Sequence, residues 1–168
     1  MVINQSKIIT MKTNAVRILD NLNIKYELVN YEVDPEDLTA ETVAKKVGLP
    51  VEKVFKTLAL MGEKSGVILA VIAGDAQLDL KAAAKISGNK AVEMVPLKDV
   101  QKHTGYIRGG VTALACKKDY PVYVDEDMLY HDVVSVSAGV RGTQIFLNPE
   151  DYVSATKATV AQIAIQKI

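Results

Sequence analysis

The amino-acid sequence predicts a single domain of the mixed α/β class, in which helices flank a central mixed β-sheet. The chain has 168 residues, the size of one domain with a real core. Hydrophobic residues make up 49% of it and charged residues 24%, which is a globular composition. Apolar runs of strand length are interleaved with stretches of helical periodicity, without strict βαβ alternation. We therefore expect one domain at 11–168, preceded by an N-terminal extension at 1–10.

Helices are predicted where a capping residue precedes apolar residues at helical spacing. Thr13, Thr39 and Asp79 are the candidate N-caps of three helices, and a proline opens a fourth. The inner face of the third helix is expected to include Leu80 and Ile86. The predicted helical segments are 13–22, 39–47, 79–86, 96–103, 126–130, 148–151 and 156–166.

Strands are predicted from runs rich in β-branched, aromatic and aliphatic residues. The most hydrophobic run, 67–73, has the length and composition of a central strand that is covered on both faces. The predicted strands are 26–31, 54–60, 67–73, 91–95, 111–115, 122–124, 133–137 and 143–147.

Charge and cysteine content exclude several classes of protein. The 20 basic and 20 acidic residues give a net charge of +0, which argues against a protein that coats DNA or other nucleic acid nonspecifically. The single cysteine forbids an internal disulfide and suits a reducing cytoplasm. No apolar run approaches the length of about 18 residues that spans a bilayer, so no membrane partner is expected. Residues 1–10 lack the features of a secretion signal.

One charged residue interrupts the predicted strand 54–60. Lys56 places an ammonium group in a core element, where an unpaired charge costs several kcal/mol. Two readings stay open. The lysine can protect a sheet edge against aggregation, or its buried stem can carry the charge into a wet functional cavity.

Two glycine-rich loops are further candidates for a site. Residues 105–110 end in Gly109 and Gly110, which allow close backbone approach or a positive φ. Residues 137–142 combine a hydroxyl, turn amides and an arginine, a set that can hold an anionic oxygen. The alternative interpretation of the first loop is an ordinary turn. That of the second is a hairpin with a solvated arginine. Neither loop matches a dinucleotide or P-loop fingerprint.

The common catalytic sets are absent from the sequence. His103 and His131 have no metal-ligand spacing, so neither a metal nor another cofactor is expected. Cys116 is better explained as a buried structural thiol than as a nucleophile. Ser137 has no evident His–Asp partner. The sequence therefore offers hydrogen-bond donors but no convincing protein nucleophile.

Several spaced motifs together carry a family resemblance. Phe55-Lys56-Thr57-Leu58, residues 79–85, Val92-Glu93-Met94, residues 104–110 and residues 137–142 come in the order and spacing of the YbaK/EbsC family. The resemblance runs from about residue 11 to the C-terminus. It implies a partly barrel-like sheet and editing of mischarged tRNA(Pro). Close relatives are Cys-tRNA(Pro) deacylases, and more distant ones are the editing domain of prolyl-tRNA synthetase and free-standing Ala-tRNA(Pro) deacylases.

The resemblance also implies site residues. Catalytic roles fall on Lys56, Gly109 and Ser137. Three departures from the family pattern, at Ala113, Ala138 and Val140, bear on pocket shape and amino-acid preference. Substrate-binding roles fall on Tyr31, Thr57, Arg108, Gly110, Gly139 and Arg141.

The implied chemistry supplies the missing nucleophile from the substrate. The thiol of a cysteinyl group would attack its own ester carbonyl, with Lys56 as an anchor or charge stabiliser. Recruitment to prolyl-tRNA synthetase is implied as the source of tRNA specificity. The alternatives are an Ala-tRNA(Pro) or broader deacylase that uses water, and a non-catalytic module that binds tRNA or a synthetase. A basic rim for the acceptor end is expected from Lys45, Lys46, Lys53, Lys56, Arg108, Lys117, Lys118 and Arg141.

Overall fold

The computed structural model describes residues 12–166, and these form a single mixed α/β domain. Its helices are α1 (Asn14–Asn21), α2 (Ala40–Val47), α3 (Leu80–Ile86), α4 (Leu97–Thr104) and α5 (Pro149–Thr156), with short 3₁₀ segments at Val51–Lys53 and Glu126–Tyr130. Its strands are β1 (Tyr26–Asn30), β2 (Phe55–Gly62), β3 (Gly66–Ala73), β4 (Ala76–Leu78), β5 (Val92–Met94), β6 (Val122–Asp125), β7 (Val134–Ser137), β8 (Thr143–Leu147), β9 (Thr159–Ala161) and β10 (Ala164–Gln166).

The main sheet has five strands in the order β5-β2-β3-β6-β9. β2 and β3 form an antiparallel hairpin in which Phe55 pairs with Ala73 and Gly62 with Gly66. β3, β6 and β9 run parallel to one another. The sheet is therefore mixed, which confirms the predicted fold class. β3 lies at its centre because every residue from 67 to 73 is apolar and buried on both faces.

A second, antiparallel sheet stands beside the first. Its order is β1-β8-β7, and a parallel bridge between Val54 and Ser135 joins it to the start of β2. β4 and β10 form a separate two-stranded ladder. The bridge matters for function because it brings the Lys56 strand and the second glycine-rich loop, which follows β7, to one place.

Three predicted helix starts are confirmed by their caps. The side-chain oxygens of Thr13, Thr39 and Asp79 accept hydrogen bonds from the first turns of α1, α2 and α3.

In the described part of the chain no helix is long and apolar enough to cross a membrane. The predicted extension at 1–10 lies outside the described residues.

The predicted helix at 156–166 is wrong. α5 ends when Lys157 adopts a left-handed conformation, with φ of 54°. β9 and β10 follow instead. The buried Asp125 carboxylate accepts the N–H groups of Ile163 and Ala164, both at 3.0 Å, and so holds the segment extended. A distant carboxylate thus outweighs the local helical tendency of an alanine-containing stretch.

The predicted strand at 111–115 is also wrong. The segment pairs with no strand within residues 12–166. The single hydroxyl proton of Tyr106 is directed at Leu114 O at 2.5 Å, with Ala115 O as a second acceptor at 3.0 Å. Two smaller corrections concern α3 and β4. Leu80 and Ile86 are each 42% exposed and do not belong to the inner face, and β4 was not predicted.

Candidate active site

A cleft of about 380 Å³ opens beside the N-terminal half of β2. The five consecutive residues 55–59 all line it, which the alternating faces of a strand would not allow. The cleft therefore meets the edge of the strand. β5 joins β2 from Leu60 onward, so along residues 55–58 this edge has no strand neighbour within residues 12–166. The remaining walls come from α2, α4 and the two glycine-rich loops. Among the lining residues are Leu38, Ala40, Val43, Met94, Leu97, Val100, Arg108, Gly109, Val111, Ser137 and Gln144.

Lys56 is half-buried in this wall, and its charge is held by backbone. Nζ donates to the carbonyl oxygen of Gly74 at 3.2 Å. Gly74 follows β3 directly, and its N–H donates to Val54 O at 2.7 Å. The turn after β3 thus fixes the ammonium group at the cleft.

Position 74 has room for glycine alone. A Cβ atom there would stand 2.6 Å from the Cβ of Ala40 and 2.8 Å from the carbonyl oxygen of Val54. One of these neighbours is main chain, so the turn itself would have to shift and carry its carbonyl away from Lys56.

The Gly74→Ala variant is expected to lower kcat/KM about ten- to a hundredfold, because displacements of about 1 Å have effects of that size. Steady-state kinetics on folded protein would measure it, with the deacylation that the family resemblance implies as the assay. Gly66→Ala is the matched control: Gly66 has a φ of +73° and nothing within 4 Å of its absent Cβ, so this variant is strained but leaves the cleft untouched. Equal losses in the two variants would contradict a positioning role for the turn.

The two glycine-rich loops pack against each other. Arg141 Nε donates to Arg108 O at 2.7 Å. Gly139 has a φ of +97°, and its absent Cβ would stand 2.9 Å from the Tyr106 ring. At Gly110 the corresponding contacts are with Val140 backbone at 3.3 Å. These glycines are needed because backbone meets backbone and ring at close range.

Ser137 and Gln144 form a polar patch on the cleft wall. They are opposed in the β7–β8 ladder, so their side chains lie on the same face. Ser137 Oγ accepts the N–H of Gly139 at 3.1 Å, which leaves the hydroxyl proton to donate elsewhere. The buried Ser135 Oγ donates to Gln144 Oε1 at 2.7 Å. This bond fixes the amide and leaves its Nε2 group as a further donor.

The other reactive side chains lie away from the cleft wall. Neither His103, His131 nor Cys116 lines it. Burial raises the pKa of the Cys116 thiol to about 11, and Sγ donates to Thr112 O at 3.3 Å. The ring of His131 stacks edge-on against Phe55 behind the wall. Within residues 12–166, no three His, Cys, Asp or Glu side chains are grouped to hold a metal ion.

Tyr152 lies beneath the cleft wall and is fully buried. Its hydroxyl is close to Thr57 and to the backbone of Ala113, but no partner is within hydrogen-bonding geometry in the described residues. Burial raises the pKa of this phenol, so the group is neutral at all ordinary pH values.

The structure brings five of the predicted site residues to the cleft wall: Lys56, Thr57, Arg108, Gly109 and Ser137. The other four lie behind the wall and hold it. Gly110, Gly139 and Arg141 pack the loops together, and Tyr31 packs with α2 while its N–H donates to Gly142 O at 2.9 Å. Their predicted roles in substrate binding stay predictions.

The predicted basic rim is dispersed. Lys53 forms an ion pair with Asp132, with Nζ and Oδ1 3.2 Å apart, and Lys46 donates to Glu32 O at 2.7 Å. Lys117 lies over the end of α4, where Nζ is 3.5 Å from Lys102 O. Of the eight predicted cations, Lys56 and Arg108 line the cleft.

Sequence reasoning missed two parts of the site. Gln144 was assigned only to a strand, although a glutamine in an otherwise buried run is the signal that a buried polar group has a partner or a task. The first turn of α2 was assigned only as a capped helix start, and Thr39, Ala40 and Glu41 line the cleft.

Comparison with known proteins gives consistent results. A family model described as an aminoacyl-tRNA editing domain matches residues 34–155. EbsC of Enterococcus faecalis, provisionally named a Cys-tRNA(Pro)/Cys-tRNA(Cys) deacylase, is 42% identical over 156 residues, which cover 93% of this chain and 95% of that protein. YwhH of Bacillus subtilis, an uncharacterized protein, is 32% identical over 71% of this chain and 76% of its own length. A crystal structure described provisionally as a trans-editing enzyme for prolyl tRNA synthetase has a TM-score of 0.77 and 26% identity, covering 93% of this chain and 99% of its own.

Fold, cleft and comparisons together define an aminoacyl-tRNA deacylase, a hydrolase that acts on ester bonds. The chain belongs to the aminoacyl-tRNA editing domain family, in its YbaK/EbsC branch. The family acts on mischarged tRNA and is related to prolyl-tRNA synthetase. The family resemblance predicted from the sequence is thereby confirmed.

Proposed function

We propose that this protein is a cytoplasmic trans-editing enzyme that deacylates Cys-tRNA(Pro), and that the substrate thiol is its nucleophile. One observation carries the proposal: the cleft wall presents hydrogen-bond donors but, among residues 12–166, neither histidine nor cysteine. Of the wall side chains that could act as a general base, Glu41 is exposed to solvent and the Lys56 ammonium group donates to Gly74 O. The wall is therefore better suited to stabilise charge and orient groups than to activate water or a serine. The name of EbsC, which is 42% identical, supports a cysteinyl substrate.

In the proposed reaction, the cysteinyl sulfur attacks the carbonyl carbon of its own ester. The carbon–sulfur bond forms, the bond from the carbonyl carbon to the ribose oxygen breaks, and the thiol proton ends on that oxygen. The products are a cysteine thiolactone and free tRNA, so no covalent bond to the protein is needed. Water then opens the thiolactone in solution.

The protein's part is to position the ester and to stabilise the oxyanion. We assign the Ser137 hydroxyl and the backbone N–H of Gly109 as donors to the developing charge. The Lys56 ammonium group, held at 3.2 Å from Gly74 O, anchors the acceptor end beside the β2 edge. Thr57 and Arg108, which also line the cleft, contact the substrate.

Selection of tRNA(Pro) is assigned to a partner, prolyl-tRNA synthetase. Because its net charge is +0 and its lysines are dispersed, this domain has little intrinsic affinity for an RNA backbone. A synthetase that already binds tRNA(Pro) would supply that affinity as an effective concentration.

Hydrolysis of purified Cys-tRNA(Pro) and Ala-tRNA(Pro) tests the proposal directly. We expect the cysteinyl ester to be cleaved at least about tenfold faster, because only its side chain carries a nucleophile. Preference for the alanyl ester would identify an enzyme that uses water. Retained binding of tRNA or synthetase without hydrolysis of either ester would identify a non-catalytic module.

A further inference from the structure

The cleft wall carries more positively charged than negatively charged side chains. Two lining residues are cations, Lys56 and Arg108, and one, Glu41, carries a carboxylate. Glu41 is exposed and lies in the first turn of α2, two residues after the capping residue Thr39. Its carboxylate has no hydrogen-bond or ion-pair partner among residues 12–166. An acidic group in this place is therefore available to a ligand.

Stabilisation of the helix does not by itself explain why the acidic residue Glu41 lies on the cleft wall. An acidic residue in a first turn stabilises the helix by a few tenths of a kcal/mol wherever that turn lies. Thr39 already caps α2 by accepting the N–H of Thr42 at 3.3 Å. An acidic residue on a face turned away from the cleft would stabilise the helix equally. Its location on the cleft wall therefore needs a separate explanation.

The chemistry of the substrate supplies that reason. An aminoacyl ester carries an α-ammonium group one carbon away from the reacting carbonyl. Two cations on the same wall would repel it, at a cost that a single carboxylate offsets. The donors Ser137 and Gln144 and the Lys56 ammonium group offer hydrogens to the carbonyl or sugar and not to a cation.

We propose that Glu41 binds the α-ammonium group of the aminoacyl ester and so restricts the enzyme to esters with a free amine. This inference rests on the proposed function for its substrate and deepens it. The enzyme would then reject N-acylated esters, including peptidyl-tRNA, which share the same ester bond but lack the positive charge. Glu41 is a specificity determinant and takes no part in bond making.

The test compares cysteinyl-tRNA with N-acetyl-cysteinyl-tRNA at pH 6.5, where the free α-amino group is protonated. N-acetylation leaves the thiol in place. For the wild type we expect kcat/KM to be at least about tenfold higher on the free amine, because a charge-assisted hydrogen bond to Glu41 adds to the lower thiol pKa that the neighbouring ammonium group causes. Glu41→Gln should lower kcat/KM about tenfold on the free amine, mainly through KM, and leave the acetylated ester within about twofold.

Glu36→Gln is the matched control, because Glu36 is an exposed acid in the turn before α2 and does not line the cleft. It should change neither substrate's kinetics. Equal losses on both esters in Glu41→Gln, or no loss on either, would overturn the proposal.

A binding measurement separates this inference from the proposed reaction. The probes are 3′-cysteinylamino-adenosine, a non-hydrolysable amide, and its N-acetyl derivative, titrated by calorimetry. A preference for the free amine of about tenfold that Glu41→Gln abolishes would support the inference even in a protein that hydrolyses no ester. The same affinity for both probes in wild type would overturn it, whatever the hydrolytic activity.

Discussion

Replacing Lys56 with methionine is expected to lower kcat/KM for the cysteinyl ester by at least about a hundredfold, the usual cost of removing one preorganised donor. Methionine keeps the length and apolar contacts of the lysine stem and removes the ammonium group that donates to Gly74 O. The loss should fall on kcat if the charge acts in the transition state, and on KM if it only anchors the acceptor end. Single-turnover deacylation with enzyme in excess would separate these two cases.

The control for this variant is Lys46→Met. Lys46 lies on α2, its Nζ donates to the backbone oxygen of Glu32, and it does not line the cleft. Both variants remove one positive charge, so a nonspecific effect on RNA binding would appear in each. Near wild-type activity in Lys56→Met would contradict both a catalytic and an anchoring role for the lysine.

Local signals predicted most of the fold. β3 was predicted from its composition, and the starts of α1, α2 and α3 from their capping residues, because the forces that set these elements act within a few residues. The failures share a different cause. At 156–166 a carboxylate from Asp125, about forty residues earlier in the sequence, replaces the hydrogen bonds that a helix would have made. At 111–115 the phenol of Tyr106 replaces a hydrogen bond that a neighbouring strand would have made.

The candidate site was predicted in part for the same reason. Lys56 was evident because a charge in a strand is a local anomaly, and the glycine-rich loops because glycine pairs are visible in sequence. Gly74 was not predicted as part of the site. Its task depends on Ala40 and on the backbone of Val54, which approach it only in the folded chain. Contacts between distant segments, unlike caps and periodicity, leave no pattern in one sequence.

Cysteinyl-tRNA(Pro) is expected to be cleaved at least about a hundredfold faster than seryl-tRNA(Pro), although the two differ by one atom. A thiol is a few per cent thiolate at neutral pH and intrinsically nucleophilic, whereas a hydroxyl needs a strong base. The cleft wall presents an exposed carboxylate, Glu41, and a cationic Lys56, and neither is suited to deprotonate a hydroxyl. Equal rates for the two esters would rule out attack by the substrate thiol. Detection of the released thiolactone by mass spectrometry would identify the product.

The pH dependence distinguishes the substrate thiol from that of the protein. With the substrate as nucleophile, the rate should rise about tenfold per pH unit and level off at or below the ordinary thiol pKa of about 8.5. Burial raises the pKa of Cys116 to about 11, so it is almost wholly protonated at that pH. Attack by Cys116 would instead give a rise that continues towards pH 11. Cys116→Ser should leave the profile unchanged, and a lost or displaced plateau in that variant would assign the nucleophile to the protein.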